Sequence, residues 1–138
     1  MAEPGIPQAA ELPQPAAVAN PLLAAFLAWL VPGAGHLMLR RAARAGLFFV
    51  VVLVSLAIGC SLHGNLYTPV AGQPLTYLAT LGCMGLGLPY FILRYLVGYH
   101  GDVVSAGFEY GTAFVLTAGL MNLLLVLDAW DIASGKKD

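Results

Sequence analysis

The 138-residue chain is too apolar and too weakly charged for a water-soluble domain. Hydrophobic residues make up 59% of it and charged residues 9%, whereas a soluble domain carries about 25% charged residues. Six basic and seven acidic side chains give a formal net charge of −1, which argues against nucleic-acid binding because that requires a basic surface. The composition indicates an integral membrane protein.

Residues 1–20 form a Pro- and Ala-rich tail without a basic residue, and Pro4, Pro7, Pro13 and Pro15 punctuate it. Such a composition cannot bury a core and favours a disordered or polyproline-like segment. The tail lacks the basic region and short apolar core of a signal peptide, so we do not expect it to be one.

Four apolar windows follow the tail, and none contains Asp, Glu, Lys or Arg: 22–39, 45–62, 75–93 and 110–127. Each approaches the roughly 20 residues that a helix needs to cross a hydrocarbon layer about 30 Å thick. Inside lipid, every backbone polar group must bond within the protein, which favours helices. We therefore predict an all-α, polytopic membrane domain over 21–131 with about four transmembrane segments, followed by a short polar tail at 132–138.

The first window is interrupted by Pro32, Gly33 and Gly35. Proline removes a backbone donor and clashes with the preceding turn, while glycine adds backbone freedom. We predict a segment that is kinked or broken at Pro32-Gly33 and favour a bent span, with a segment that enters and returns as the alternative. Irregular backbone at membrane depth must be shielded, so the break is expected to face other helices.

His36 is an ionisable residue inside an apolar window and therefore a candidate functional residue. It would suit haem or chlorin ligation, or proton relay. The favoured interpretation is structural, with a neutral imidazole satisfying carbonyls freed by the Pro32 break. Cys60 and Cys83 lack the spacing of metal ligands, and we assign no cofactor and no metal to the chain.

Four arginines lie at predicted segment ends and are expected to contact lipid headgroups and fix the topology: Arg40, Arg41, Arg44 and Arg94. If all four segments span, these arginines share one side and Lys136 and Lys137 occupy the other. The positive-inside rule then predicts a cytoplasmic arginine side and places both termini outside. A re-entrant first segment would leave the N-terminus inside.

Small residues in the third and fourth windows predict close helix packing. The third window carries Pro89 after its glycines, and the fourth adds an amide that can bond across helices. The predicted packing residues are Gly82, Gly85, Gly87, Gly107, Gly111, Gly119 and Asn122. Self-association, contact with another subunit and packing within the chain all remain open.

Three carboxylates flank the fourth window. Glu109 is suited to the positive N-terminal end of a helix. Asp128 and Asp131 are three residues apart on one helix face. We expect these two to pair with Lys136 or Lys137 or to remain solvated.

The sequence Val-Pro-Gly-Ala-Gly-His-Leu at 31–37, with Arg40, Arg41, Gly46 and Phe48-Phe49 after it, resembles the first hairpin of the two-transmembrane-helix domain family. The stretches 107–112, 117–124 and 127–133 resemble the end of an uncharacterised family of small bacterial membrane proteins. Together they cover Pro21 to about Lys137. This resemblance implies a multi-pass helical protein of the bacterial inner membrane without an assigned activity.

We expect a non-enzymatic protein, either a packing module or an accessory subunit of a membrane complex or homo-oligomer. Its expected partners are the lipid bilayer and other membrane subunits or a second copy. One alternative is a small transporter or channel component for a neutral solute, which would use the broken first segment. Another is a haem- or pigment-binding subunit that uses His36.

Overall fold

The computed structural model describes Gly5 and residues 20–136, and this part of the chain is helical and contains no strand. It contains α1 (Pro21–Leu30), α2 (Ala34–Met38), α3 (Ala42–Ser61), α4 (Pro74–Met84), α5 (Leu88–Phe91), a π-helical turn (Ile92–Leu96) and α6 (Phe108–Ala133). The predicted all-α class is confirmed. The expected disorder of the N-terminal tail falls, apart from Gly5 and Asn20, outside the described residues.

Among the described residues, two helices are each long and apolar enough to cross a membrane, namely α3 and α6. Their 20 and 26 residues give lengths of about 30 and 39 Å. They run antiparallel, because a Cβ atom placed on Gly59 near the end of α3 would lie 2.9 Å from the carbonyl oxygen of Gly111 near the start of α6. We call this the loop end of the molecule and the end where α3 begins, beside Arg40 and Arg41, the arginine end.

α6 is the central helix, and its buried positions recur every three or four residues. They are Val115, Ala118, Asn122, Leu125 and Ala129. This spacing places them on one face, which packs against α1, α3 and α4. Leu120, Leu124 and Leu127 are exposed, as expected for side chains that face lipid tails.

The first predicted segment is broken at the expected place but does not span. Its first part, α1, has 10 residues, about 15 Å. Gly33 then adopts a left-handed φ of +84°, which glycine accommodates readily, and the chain reverses. A Cβ atom on Gly35 would lie 2.6 Å from the Ala24 carbonyl oxygen, so α2 lies beside α1. The expected bent span is therefore wrong, and the segment enters and returns at the arginine end.

The third predicted segment is a second broken element. α4 and the stretch Leu88–Leu96 meet at an angle of 115°, and Gly87 between them has a φ of +73°. The Tyr99 hydroxyl then donates to the Gly64 carbonyl at 2.8 Å, and the Asp102 N–H donates to the His63 carbonyl at 3.0 Å. These bonds return the chain to the loop end, where α4 began. About four spans are therefore not confirmed: the described chain has two helices long and apolar enough to span. It also has two helical hairpins that return to the end of the bundle where each one starts.

The two halves of the described chain, 20–61 and 73–133, have the same order of elements. Each starts with a half-length helix that has proline at its N-terminus. A break at a left-handed glycine, a short returning helix, an arginine and a long spanning helix follow. The halves start from opposite ends of the bundle, but their packing differs, because α1 and α4 both pack on α6. The shared order of elements is therefore not matched by a symmetric arrangement of the two halves.

This topology changes the expected charge distribution. Arg94 lies at the loop end, where its Nη1 is 2.6 Å from His100 Nδ1. Lys136 follows α6 at the arginine end. The expected grouping of Arg94 with the other arginines, opposite Lys136, is wrong because the third segment returns instead of crossing. The positive-inside rule now predicts a cytoplasmic arginine end, with Asn20 and Lys136 both on that side.

Cysteine labelling tests this arrangement. In a Cys60→Ala, Cys83→Ala background, we expect Arg40→Cys and Lys136→Cys to react with an impermeant maleimide from the same side of sealed, oriented vesicles. Val104→Cys, which lies in the highly exposed loop before α6, should react only from the other side. Four spanning segments would instead place residues 40 and 104 together and residue 136 opposite, so joint labelling of 40 and 104 would contradict the hairpins.

Candidate functional site

The two re-entrant hairpins meet at Asn122, near the middle of α6. The Asn122 amide nitrogen, Nδ2, donates to the Trp29 carbonyl at 3.2 Å and to the Gly85 carbonyl at 2.8 Å. Trp29 Nε1–H donates to the Met84 carbonyl at 3.0 Å. These carbonyls lie at the ends of α1 and α4, where the regular helical bonding stops. The Met84 carbonyl also accepts the Gly87 N–H at 2.9 Å. Asn122 and Trp29 therefore add side-chain caps to both half-helices.

We call this contact of Trp29, Met84, Gly85, Gly87 and Asn122 the hairpin junction, and it is tightly packed. Asn122 is fully buried. A Cβ atom on Gly87 would overlap the Trp29 carbonyl, and one on Gly85 would lie 2.7 Å from the Gly119 carbonyl oxygen. Only glycine permits backbone to meet backbone at this separation. The junction is a filled structural contact in this conformation.

His36 forms the second buried polar contact, and its partner is Asp128 at the end of α6. His36 Nε2 lies 2.8 Å from Asp128 Oδ2; the imidazole is fully buried and the carboxylate side chain is 20% exposed. The pair exists because α2 folds back and places its buried face against α6. His36 was expected to bond carbonyls freed by Pro32, and Asp128 to pair with a lysine or remain solvated. Neither expectation included this contact.

The surroundings of His36 favour a structural role. Its ring packs edge-on against Phe48 with a centroid distance of 5.0 Å, and Nδ1 has no hydrogen-bond partner among the described residues. The short contact engages Nε2 with the Asp128 carboxylate. Because Nε2 is engaged and the ring enclosed, haem ligation would require this contact to open.

Several of the glycines predicted to pack helices do so within the chain. A Cβ atom on Gly119 would overlap the Gly82 carbonyl, and one on Gly111 would lie 2.6 Å from the Gly64 nitrogen. Gly107 lies against Leu62, 3.0 Å from its Cδ2 by the same measure. The residue set that suggested self-association is therefore used largely for intrachain packing.

The loop end has its own polar contacts, which the sequence did not single out. The Asn65 N–H donates to Thr112 Oγ1 at 2.8 Å, and the Thr112 hydroxyl donates to the Phe108 carbonyl at 2.7 Å. Tyr99 lies outside the spanning helices, and burial, together with the neighbouring Cys60, raises its pKa to about 12. Glu109 occupies the first turn of α6, as expected. These contacts fix the two loops against α6.

Two apolar spanning helices and two capped, re-entrant hairpins define the class of the molecule: it is a small helical membrane protein. Comparison with known protein families matches residues 23–138 to a family of unknown function, DUF6677. The chain belongs to that family, in agreement with the expected uncharacterised family. No curated protein and no solved structure matches the chain. The resemblance of residues 31–37 to the two-transmembrane-helix domain family stays a prediction.

Replacing Asn122 by Leu tests the junction. We expect a loss of about 1–3 kcal/mol in the free energy of unfolding, because two buried carbonyls lose their donor. SDS titration in mixed micelles, followed by circular dichroism, measures it. Asn65→Ala is the matched amide control, since Asn65 bonds Thr112 through its backbone. An equal free energy of unfolding for the Asn122 variant and the wild type would show that the ends of α1 and α4 do not need this cap.

Removal of the Asp128 carboxylate tests the second contact. Asp128→Ala should lower the free energy of unfolding by about 1.5–3 kcal/mol, because it strands a buried imidazole N–H. Asp131→Ala, one turn further along α6, should change it by less than about 0.5 kcal/mol. A His36→Leu, Asp128→Leu double variant should lose less than the sum of the single variants. Additive losses would mean that the two groups do not interact.

Proposed function

We propose that the protein is a non-enzymatic membrane module that acts through its lateral surface, as an accessory subunit of a membrane complex or as a homo-oligomer. The observation that carries the proposal is the filled junction: backbone meets backbone where the hairpins touch, and Asn122 is fully buried. A protein whose centre is packed in this way has its outer faces available for contact. We place it in the bacterial inner membrane, in keeping with the resemblance of its sequence.

The lateral surface offers shaped apolar grooves that support this proposal. One, of about 300 Å³, lies between α3 and α6 beside Val51 and Leu124. A second, of about 330 Å³, lies between α2 and α3, and a third, of about 490 Å³, lies between α3 and the second hairpin. Grooves at a lipid-facing surface accept side chains or acyl chains through van der Waals contact, which drives association in membranes.

The non-enzymatic part of the proposal rests on the few polar groups in the membrane interior. The His36 ring is enclosed and its Nε2 is engaged by Asp128. The Asn122 Nδ2 donates to two backbone carbonyls. His36 Nδ1 and Asn122 Oδ1 have no hydrogen-bond partner among the described residues, and both atoms are buried. Buried atoms of this kind are not accessible to a substrate in this conformation.

Extraction into polymer-bounded native nanodiscs tests the proposal. We expect native mass spectrometry to find a fixed ratio of this chain to a second chain or copy. Because the groove beside Val51 is one candidate contact, a Val51→Trp, Leu124→Trp variant should shift the particle toward a single chain. Leu75→Trp, at the exposed start of α4, is the control. Single chains in every native particle would contradict the proposal.

A second candidate function, a small transport component for a neutral solute, is favoured by the two half-helices that start from opposite ends and meet at Asn122. In transporters, half-helices that enter from opposite sides often end at the substrate site. Here the moving part would be the hairpin junction. Solute flux in proteoliposomes that responds to Asn122→Leu, with the fold retained, would favour transport over the accessory role.

A further inference from the structure

The groove between α2 and the start of α3 lies directly beside a cluster of arginines. The groove is apolar. Its lining includes Pro32, Gly33, Leu37, Ala42, Gly46 and Phe49. Leu37 and Phe49 are exposed. The connection between the two walls contains Arg40 and Arg41. One end of the groove therefore lies at the arginine end, where membrane and water meet.

The arginines beside this groove are available for an anion. Arg40 and Arg44 are exposed and Arg41 is half-buried. None of the three guanidinium groups lies within ion-pair distance of a carboxylate in residues 20–136. Asp128, at the same end, is engaged with His36 at 2.8 Å. Guanidinium groups form paired, charge-assisted hydrogen bonds with phosphate oxygens.

Arg40 also occupies a backbone conformation that does not suit its side chain. Its φ is +60°, in the left-handed region where glycine, asparagine and aspartate are the usual residues. Its N–H donates to the Leu37 carbonyl at 3.0 Å, and the Arg41 N–H donates to the His36 carbonyl at 2.9 Å, so Arg40 lies in the C-terminal capping turn of α2. This turn places its charge where the chain leaves α2.

We propose that this groove is a binding site for an anionic phospholipid. The phosphate binds Arg40 and Arg41, and one acyl chain lies along Pro32, Leu37 and Phe49. Lipid is the ligand that fits both parts, because free phosphate would leave the apolar groove empty. An anionic headgroup fits better than a zwitterionic one, whose phosphate is accompanied by a cation that the arginines repel. The site depends on the placement of the chain in a membrane, and it assigns to lipid one of the three grooves that support the accessory role.

The test uses the full chain purified in a neutral detergent and mixed with equal amounts of phosphatidylglycerol and phosphatidylcholine of the same acyl length. Native mass spectrometry counts the lipids that remain bound. We expect phosphatidylglycerol to be retained at least about fivefold over phosphatidylcholine, since each basic side chain near an anionic headgroup contributes about that factor. Inorganic phosphate in excess should not abolish retention.

Gly46→Leu separates a true groove site from general attraction to negative charge. No atom lies within 4 Å of a Cβ placed on Gly46, so leucine there fills the groove without a clash at its Cβ. We expect at least about fivefold less bound phosphatidylglycerol with an unchanged melting temperature in lipid-free detergent. Ala43→Leu, an exposed position of the same helix outside the groove lining, is the control and should bind as the wild type does.

Arg40→Gly separates lipid binding from fold stability. Glycine relieves the left-handed backbone, so the melting temperature in lipid-free detergent should stay the same or rise, while the preference for phosphatidylglycerol falls about fivefold. Arg94→Gln, at the loop end, should leave the preference unchanged.

Three results would overturn the proposal: equal retention of both lipids by the wild type, undiminished retention by Gly46→Leu, or a change in chain number instead of lipid number in that variant. The last would identify the groove as a contact between protein chains.

Discussion

The structure depends on how backbone carbonyls are satisfied where no water is available. α1 and α4 both end beside the middle of α6, and a helix that ends in an apolar environment has carbonyls without partners. Asn122 supplies donors to both tips, and Trp29 supplies another to α4. Without these donors, each segment would be more stable as one continuous spanning helix than as a hairpin. The hairpins are thus possible because one amide on a central helix reaches two chain reversals at once.

Close approach is the second condition, and it explains the abundance of glycine. Gly87 touches the Trp29 carbonyl and Gly119 touches the Gly82 carbonyl, so the hairpin tips reach α6 and each other only because no side chain intervenes. Packing and hydrogen bonding therefore act together at the junction. Because small residues occupy the contacts between helices, large side chains such as Leu120 and Leu124 lie on the outside, where they meet lipid.

Sequence patterns predicted the class of fold well and the topology poorly. Length and hydropathy identified the α3 and α6 segments, because a span is defined by those two properties. They could not identify re-entrant hairpins, since a hairpin and a bent span have the same composition and differ only in the direction taken after Gly33 or Gly87. Pro32 marked the first break correctly. The second break carries similar signals, in Gly85, Gly87 and Pro89, but these residues predict close helix packing as readily as a chain reversal.

The polar contacts were missed for the same reason. His36 and Asp128 are 92 residues apart, and they meet only when α2 folds back at the arginine end. Asn122 was recognised as a helix-bonding amide, because a lone amide in an apolar run needs partners. Its partners are backbone carbonyls of two other segments, which no side-chain pattern reveals.

The position of Asn122 along the chain has a consequence for biosynthesis. Both hairpins are synthesised before residue 122 leaves the ribosome, so until then their tips have no donor from α6. During that interval the α1 and α4 carbonyls must be hydrogen-bonded by water, by the translocation machinery or by lipid headgroups. Assembly of the two hairpins therefore waits for α6, and until then the nascent chain depends on its insertion environment.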